Sequence, residues 1–567
     1  MNDDVRRRPT LTGPLRLLSV TRPQRLAPSR PESQPTPYTG PQPYTGPQTE
    51  AQLVALRNLQ GIATQQSAPV PDEIIELSGE QERSSRAGFP WELVVVLVAQ
   101  AALSLRLVWA NTAFMDEALY LWTGHMEWAH WLQGSPVPTF QAWFSGAPVL
   151  YPALAALVDT YGGLAAVRLV SLALMLCVTC LLWGTTSRLV NRRAALIASA
   201  LFAALSGTAF LGAFATYDAM ALFLLTGATW IAVRASERRA LASLTFLLAG
   251  LILGLACAVK YAAALFVPVV VLVVFFSRAR EAGWGRGFAS AATVSIAWLA
   301  TIAAGLIFGG ADYRHGLQAT TLSRQAATSS PFSVLKMSYI WTDFIIVLAA
   351  IALFVSRREP PAYRWLLRVL AITAFLVPAE QARIYTIQSL HKHVVFGAWF
   401  AAIAAAYLLS RLSLIDTTRG WMIVISIPII ASVLLQGMPR ASALFRIWPN
   451  LSALAAVMPK VIAQHPGTYL ADPDVLQVIG YYGRGQTGWL QWANDQYYRE
   501  PGTPLGLPSI RAAISHHTFA LIVVGTTTGR SYTPVARAIM ADIKQSGGYR
   551  IVANADGYEV WAPAVTK

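Results

Sequence analysis

Two acidic residues, Asp116 and Glu117, stand side by side shortly after the first long apolar run of the chain. The segment that contains them, residues 111–150, has no Lys or Arg that could pair with either carboxylate. Successive residues of a helix point about 100° apart, so one carboxylate can face a cavity while the other anchors the chain locally. A carboxylate in that position could act as a general base or a metal ligand. Acidic residues also stabilise the positive end of a helix dipole, and the residues alone favour neither interpretation.

Two further charged residues lie at the ends of apolar runs. Asp218 opens the run that follows Thr216 and Tyr217, where it could cap a helix or face a site. Lys260 is a lone cation in a tight turn between two apolar runs. Such a lysine can extend to lipid headgroups or contact a lipid phosphate, and the residues leave both roles open.

A third group of polar residues follows further along the chain. Arg383 and Lys392 are cations in one short segment that also holds His391 and His393. The planar guanidinium of Arg383 suits bidentate contact with a phosphate. Two histidines without further ligands give weak support for a metal site. We therefore predict no metal or other cofactor, with a divalent ion as the less favoured alternative.

Four tryptophans, Trp122, Trp128, Trp131 and Trp143, lie in the same cation-free segment as Asp116. Tryptophan is enriched where membrane proteins cross the boundary between lipid and water, and such a belt is the simpler interpretation. Stacking of these rings against a sugar is the alternative.

The elements that position these residues are long apolar segments. Of 567 residues, 54% are hydrophobic and 13% are charged, which is too little charge to cover a soluble protein of this size. Runs of about 17 to 23 apolar residues match the hydrocarbon core of a bilayer when they are helical. The sequence predicts about eleven membrane-spanning helices. They lie near residues 91–110, 164–186, 194–212, 217–235, 241–258, 261–277, 288–309, 338–355, 362–379, 394–410 and 420–437.

Arginines predict the orientation of these helices, because every second loop is basic. The basic loops contain Arg188, Arg192 and Arg193; Arg234, Arg238 and Arg239; Arg278, Arg280 and Arg286; Arg357, Arg358 and Arg364; and Arg411 and Arg419. Loops of this kind face the cytoplasm, so we expect the N-terminus inside and the C-terminus outside. The polar candidates described above then share the outer side. The net charge of +15 follows from the same distribution and does not indicate a nucleic-acid partner.

The sequence predicts three parts. Residues 1–88 lack a long apolar run and repeat the motif Pro-Tyr-Thr-Gly-Pro-Gln, which is typical of a disordered tail, here cytoplasmic. Residues 89–438 form a transmembrane domain whose first outer loop is 111–150. Residues 439–567 form a small α/β domain outside the membrane. Its predicted strands are 468–471, 519–524, 549–552 and 558–562, and its predicted helix is 534–545.

An ordered set of short motifs resembles a known family. The motifs are Phe114–Tyr120, Ala147–Pro152, Ala166–Leu169, Tyr217–Ala219, Val259–Tyr261 and Ser389–His393. Together they resemble the protein O-mannosyltransferase and aminoarabinose-transferase group, glycosyltransferase family 39 and its bacterial relatives, over about residues 90 to 440. The C-terminal part, with Asp472–Leu476, Tyr481, Tyr482 and Trp492, is similar to the extracytoplasmic domain of bacterial members. The extra repeat domain of eukaryotic protein mannosyltransferases is not found, which speaks against a protein acceptor.

The resemblance implies a mainly α, polytopic GT-C fold and an inverting transfer of a sugar from a polyprenyl-phosphate donor. It implies that Asp116 is the base that deprotonates the acceptor hydroxyl. Glu117 would support that base or hold the loop, and Asp218 would shape the acceptor side.

The resemblance also implies how the leaving phosphate is stabilised. Developing negative charge on the polyprenyl phosphate needs a cation, and Lys260, Arg383 and Lys392 are the candidates. An outward site has no supply of cytosolic nucleotide sugars, so a lipid-linked donor is the natural one.

The expected partners are therefore the polyprenyl-phosphate-linked sugar, membrane lipid and a glycan, lipid or protein acceptor. The sugar is a hexose or a pentose, mannose-like or other. We expect a multi-pass protein of the plasma membrane with its site on the extracytoplasmic face.

Two other classes of protein share some of these features. A transporter or flippase of a lipid-linked saccharide would also have many spans and intramembrane charges. Transporters often consist of two related halves, and the sequence shows no such repeat. A non-catalytic scaffold with the same fold is the third alternative, against which the presence of Asp116, Asp218 and Lys260 speaks.

Overall fold

The computed structural model describes residues 90–238, 241–323, 326–412, 419–494, 498–526 and 533–564. The chain from Phe89 to Lys567 forms one compact unit. It is mainly helical and carries a small sheet near its C-terminal end, which confirms the predicted fold class. The predicted tail, residues 1–88, lies outside the described residues.

The described residues form nineteen α-helices, which we number in chain order. The first ten are α1 (Trp91–Val108), α2 (Met115–Gln133), α3 (Tyr151–Leu189), α4 (Arg192–Ala204), α5 (Ser206–Leu211), α6 (Tyr217–Ser236), α7 (Ala242–Val259), α8 (Val267–Ala282), α9 (Trp284–Phe308) and α10 (Gly310–Leu317). The others are α11 (Pro331–Thr342), α12 (Phe344–Val355), α13 (Pro361–Arg383), α14 (Leu390–Leu412), α15 (Arg419–Leu444), α16 (Ser452–Gln464), α17 (Pro473–Tyr482), α18 (Leu507–Ser515) and α19 (Pro534–Ser546).

Long apolar helices dominate the described residues from Trp91 to Leu444. Within the described ranges, nine are long and apolar enough to cross a bilayer. The pair α11 and α12 is bent by 96° and would add a tenth span if it crosses as one broken helix. Helix α14 is rich in alanine and is the most buried of the long helices. Inside the protein, 94% of its apolar stretch is buried. Helices α4, α12 and α13 pack against it most extensively.

The predicted span 194–212 is interrupted at Leu205. This residue has an extended backbone, with φ −63° and ψ 138°, and separates α4 from α5. A Cβ atom on Gly207 would lie 2.9 Å from the carbonyl oxygen of His391 and 2.4 Å from the side chain of Val395. The break therefore allows α5 to pack closely against the first turns of α14.

The C-terminal part contains a five-stranded mixed sheet. Its strands are β1 (Tyr469–Ala471), β2 (Trp492–Asn494), β3 (Leu521–Gly525), β4 (Tyr549–Ala555) and β5 (Tyr558–Pro563). The spatial order is β2-β1-β3-β5-β4, in which β1 is parallel to β2 and β3, and β5 is antiparallel to β3 and β4. All four strands predicted from the sequence are present as β1, β3, β4 and β5, and the predicted helix is α19. Strand β2 was not predicted.

The C-terminal part contacts the helical bundle through α17. Gly480 packs against the indole of Trp122 in α2, where an added Cβ would lie 2.3 Å from the ring. The hydroxyl of Tyr481 donates a hydrogen bond to Asp159 in α3 at 2.5 Å. The hydroxyl of Tyr482 accepts one from the backbone N–H of Ala113 at 3.2 Å. These contacts join the sheet-bearing part to the chain that carries Asp116.

Helix α2 lies very close to the start of α3. A Cβ atom on Gly124 would lie 1.9 Å from the carbonyl oxygen of Pro152 and 2.7 Å from the Cβ of Ala156. Because the carbonyl belongs to the backbone, it cannot rotate away. The closeness of the two helices therefore depends on glycine at this position.

We expect Gly124→Ala to destabilise the protein by roughly 1–3 kcal/mol, the usual cost of overfilling a packed contact. Thermal unfolding of the purified protein in detergent, followed by tryptophan fluorescence, measures this. Gly305→Ala in α9 is the matched control, because a Cβ there meets no atom within 4 Å and alanine favours a helix. Equal unfolding midpoints for the two variants would contradict the proposed contact.

Candidate functional site

Asp116 and Glu117 lie in the first turn of α2, and their carboxylates have different surroundings. Glu117 is fully buried, and its Oε2 accepts a hydrogen bond from the backbone N–H of Phe114 at 2.9 Å. Its Oε1 accepts one from the backbone N–H of Ala215 at 2.7 Å. Asp116 keeps 27% of its side chain exposed. Of the two, Asp116 is thus the carboxylate that a substrate can reach.

The charge of Glu117 is balanced by Arg168 of α3, and both side chains are buried. The Nε and Nη2 groups of Arg168 donate to the two carboxylate oxygens at 2.8 and 2.6 Å. Its Nη groups also donate to the backbone carbonyls of Val108, Asn111 and Thr112. Buried ion pairs are tolerated when their polar atoms are satisfied in this way. The pair therefore fixes the chain between α1 and α2.

The same short segment is held from a second side by the end of α15. The amide of Asn111 donates to the backbone carbonyls of Phe445 and Trp448 at 2.9 and 3.0 Å. The indole N–H of Trp448 donates to the carbonyl of Thr112 at 3.0 Å. The hydroxyl of Thr112 accepts from the backbone N–H of Leu451 at 3.1 Å. Contacts on both sides give Asp116 a rigid support.

Asp218 and Lys260 form a buried ion pair. Asp218 lies in the first turn of α6, and Lys260 directly follows α7. The hydroxyl of Thr216 donates to the second carboxylate oxygen of Asp218 at 3.0 Å. The ammonium of Lys260 also lies 4.9 Å from the ring centroid of Tyr217, within the range of a cation–π contact.

Lys392 forms the second ion pair of the site, with Asp116. It lies in the first turn of α14, and its Nζ donates to Oδ2 of Asp116 at 3.0 Å. The side chain is buried, and the ammonium lies 5.5 Å from the ring centroid of Phe214. Lys392 also interacts electrostatically with Asp218.

Asp116, Lys392, Asp218 and Lys260 therefore belong to one group, which we call the four-charge cluster. Two acids and two bases come from the first turns of α2, α6 and α14 and from the end of α7. Their formal charges cancel, which makes such a group tolerable in a buried place. Asp116 is the most exposed of the four.

Aromatic rings surround the cluster on one side. The ring of Tyr120 lies 4.7 Å from that of Tyr217 and 5.2 Å from that of Phe144. Burial raises the pKa of Tyr120 well above its usual range, and the neighbouring Tyr217 and Asp116 add to the increase. The hydroxyl of Tyr120 therefore stays neutral and can act as a hydrogen-bond donor beside the carboxylates.

The turn that carries Lys260 is fixed by the chain after α2. The backbone N–H of Ala147 donates to the carbonyl of Ala258, and the backbone N–H of Tyr261 donates to the carbonyl of Ser145, both at 2.8 Å. A Cβ on Gly146 would lie 2.1 Å from the carbonyl oxygen of Val259. This close approach allows only glycine, so the residues before α3 hold Lys260 in place.

Arg383 lies apart from the cluster. It is 69% exposed and pairs with Glu380 through two hydrogen bonds of 2.8 and 2.6 Å. His391 is partly buried and its ring packs against Phe210 and Trp341. Nδ1 of His393 lies 2.8 Å from the amide nitrogen of Gln381. In the part of the chain that the structure describes, no three His, Cys, Asp or Glu side chains come together as metal ligands would.

The structure divides the four tryptophans noted in the sequence into two sets. The indole of Trp128 donates to the carbonyl of Ala153 at 2.8 Å, and its ring contacts Trp131. Trp122 and Trp143 instead contact a fifth tryptophan, Trp489, from the C-terminal part. The four rings therefore do not form one continuous belt.

The sequence interpretation gave no role to Arg168 or to the contacts of Trp448. An arginine within an apolar run carries a signal, because a charge inside a membrane helix must have a partner. That signal points to Arg168 but does not identify Glu117, which lies 51 residues away. The contacts of Trp448 depend on the end of α15 and have no local signal.

We expect Arg168→Met to destabilise the protein strongly, by about 3–5 kcal/mol, because it leaves the charge of Glu117 buried without its partner. Thermal unfolding in detergent measures the loss. Arg192→Met is the control, since Arg192 pairs with Glu92 at the surface and exposed pairs contribute little. An Arg168→Met midpoint equal to that of the wild type would disprove the anchoring role.

Part of the chain matches a family of known enzymes. Residues 147–308 match the family model described as dolichyl-phosphate-mannose-protein mannosyltransferase. This range contains Arg168, Asp218 and Lys260 and begins after Asp116. A search of curated proteins found no match.

Solved structures match a larger share of the chain. The structure of ArnT from Cupriavidus metallidurans, bound to undecaprenyl phosphate, has a TM-score of 0.56 and 13% identity, and the match covers 84% of this chain and 98% of that one. The archaeal oligosaccharyltransferase AglB from Archaeoglobus fulgidus, in complex with an inhibitory peptide and a dolichol-phosphate, has a TM-score of 0.54 and 13% identity, with 84% and 74% covered. These likenesses, with the family model, confirm the recognition made from the motifs: the chain has the GT-C fold of membrane glycosyltransferases.

Proposed function

We propose that the protein is an integral membrane glycosyltransferase that moves a sugar from a polyprenyl-phosphate donor to an acceptor hydroxyl, with Asp116 as the base. The observation that carries this proposal is the four-charge cluster, in which Asp116 is the exposed carboxylate and Lys392 its partner. The GT-C fold and the family model for a mannosyltransferase support the reaction class.

The proposed reaction is a single displacement. Asp116 takes the proton of the acceptor hydroxyl, and the acceptor oxygen attacks the anomeric carbon of the donor sugar. The bond between that carbon and the phosphate oxygen breaks as the new bond forms, so the configuration inverts. The bonding electrons leave with the polyprenyl phosphate, and Asp116 holds the proton. A positioned general base of this kind contributes about 10²–10⁴-fold to a rate.

The cations of the site have separate roles in this proposal. Lys392 lies beside Asp116 and is placed to stabilise the negative charge that develops on the leaving phosphate. Lys260 keeps Asp218 ionised and in position on the acceptor side. Arg383 is exposed and is suited to hold the lipid phosphate near the membrane surface. Glu117 serves as the anchor of the loop.

The ligands of the similar structures support a lipid-linked donor. ArnT is bound to undecaprenyl phosphate, and AglB is in complex with a dolichol-phosphate and a peptide. We extend this to a polyprenyl-phosphate-linked hexose or pentose as the donor. A glycan, a lipid and a protein are the acceptor classes that the proposal includes.

The location of the site is part of the proposal. The alternation of basic loops supports a location of residues 1–88 in the cytoplasm and of residues 111–150 and 439–567 on the other side. The site then faces the outside of the plasma membrane, where nucleotide sugars are absent and a lipid carrier supplies the sugar.

We expect Asp116→Asn to abolish transfer, with a loss of about 10²–10⁴-fold, because the amide cannot accept the proton. The measurement compares envelope glycans by mass spectrometry in a deletion strain that carries either the wild-type gene or Asp116→Asn at equal membrane levels. Asp312→Asn is the control, since Asp312 is an exposed carboxylate of α10. If Asp116→Asn restores the sugar as well as the wild-type gene does, Asp116 is not the catalytic base. That result would favour a transporter of lipid-linked saccharides.

A second comparison separates the two phosphate-binding candidates Lys392 and Arg383. We expect Lys392→Gln to lower kcat by about 10²–10³-fold, because its charge acts where negative charge develops. We expect Arg383→Gln to raise KM for the donor and leave kcat nearly unchanged, since an exposed cation binds substrate and transition state alike. Initial rates of the purified protein in nanodiscs, with the donor varied, measure both. A loss of kcat in Arg383→Gln as large as in Lys392→Gln would contradict this division.

A further inference from the structure

A pair of adjoining grooves runs along α2, between this helix and the C-terminal part of the chain. The groove nearer Asp116 has a volume of about 630 Å³, and the second has about 660 Å³. Trp489 and Leu490 line both, so the two grooves adjoin at these side chains. We call them together the tryptophan groove. None of the four residues of the four-charge cluster lines it.

Three tryptophan rings are in contact in this groove. Trp489 lies 4.7 Å from Trp143 and 5.0 Å from Trp122, measured between ring centroids. Trp143 is 43% exposed although it belongs to this contact. Large exposed aromatic surfaces in a concave place are typical of a ligand site. The C–H face of a pyranose or furanose ring packs well on an indole face, while a peptide gains less from a row of such rings.

One end of the groove lies about one helical turn along α2 from the proposed base. Asp116, Leu119 and Trp122 are spaced three residues apart on α2, so they lie along one side of the helix. Leu119 lines the first part of the groove and Trp122 the second. From Leu119 to Ala129, which ends the lining on α2, the helix extends about 15 Å at 1.5 Å per residue. This length accommodates a chain of several sugars with one end near Asp116.

Polar groups along the groove are suited to hydroxyls. The side-chain oxygen of Gln477 is buried and has no hydrogen-bond partner among the described residues, although this side chain lines the groove. Asn494, Thr487 and the cations Arg484 and Arg499 also line it. None of its described lining residues is acidic. A neutral or anionic carbohydrate therefore meets no repulsion here.

We propose that the tryptophan groove binds the carbohydrate chain of the acceptor, so the acceptor is a glycan of several sugar units. The inference rests on the proposed function in one respect, namely that the bound glycan ends at Asp116. Binding itself does not depend on transfer.

The competing occupant is an extended peptide that adds to the edge of the sheet. Strand β2 is an edge strand and lines the groove, so its backbone could pair with another chain. The part of this strand that the structure describes is Trp492–Asn494, and these three residues offer few hydrogen bonds. Trp122 is buried, but the indoles of Trp143 and Trp489 remain accessible, and these aromatic surfaces are the larger feature and favour the glycan.

The experiment measures binding to the purified full-length protein in nanodiscs. The probes are oligosaccharides released by mild acid from the envelope of a deletion strain and sorted by length, because such a strain accumulates the unextended acceptor. We expect binding to strengthen with chain length over the first few sugars. Trp489→Ala and Trp143→Ala should each weaken it at least tenfold, and Trp489→Phe, which keeps an aromatic face, should recover most of the affinity.

Trp131→Ala is the matched control, because Trp131 is 47% exposed in the same segment and lies outside the groove lining. It should bind as the wild type does. Equal binding by Trp489→Ala and the wild type, with unchanged unfolding midpoints, would overturn the proposal. So would a wild-type protein that binds none of these oligosaccharides but binds a serine- and threonine-containing peptide.

The same variants show which of the two proposals is wrong, glycan binding in the groove or the proposed transferase function. If the wild-type protein binds the glycan through its tryptophans but transfers no sugar, the groove is a glycan site and the proposed transferase function is wrong. If Trp489→Ala and Trp143→Ala leave sugar transfer to the released oligosaccharides unaffected, the protein is a transferase and the groove is not the acceptor site.

Discussion

The buried pair of Arg168 and Glu117 joins the chain segments on which the site depends. Glu117 lies beside Asp116 and also accepts the N–H of Ala215, three residues before Asp218. Arg168 comes from α3 and binds carbonyls at the end of α1 and in the turn before α2. One ion pair thus sets the distance between the starts of α2 and α6, which carry the two acids of the four-charge cluster. Because both charges are buried, any shift of one segment would leave a buried charged group without its partner.

The cluster itself places equal numbers of acids and bases where water is largely excluded. Each lysine contacts a carboxylate and an aromatic ring, so its charge is balanced without a shell of water. In the proposed reaction a lipid phosphate adds negative charge beside Lys392, and this competes with Asp116 for the ammonium. Binding of the donor would then release Asp116 from its partner, which makes the carboxylate available as a base when the sugar is present.

Much of the fold could be predicted because it depends on local patterns. The run predicted at 217–235 is α6, and the strands predicted at 519–524 and 558–562 are β3 and β5. The interrupted span at Leu205 was not predictable, since the break serves a contact with α14 that is distant in sequence.

The site was predictable in its residue types and not in its pairings. Residue type and spacing alone could not rank Asp116 and Glu117, although the family resemblance favoured Asp116, because the partner that buries Glu117 is on another helix. Arg383 and Lys392 looked alike in the sequence, but one ends a helix at the surface and the other begins the central helix α14. Helix α2 carries both the proposed base and one wall of the tryptophan groove, while α17 presses Gly480 against Trp122. A glycan bound in the groove would therefore be positioned by the same rigid element that positions Asp116, so recognition of the acceptor and placement of its hydroxyl would follow from one helix.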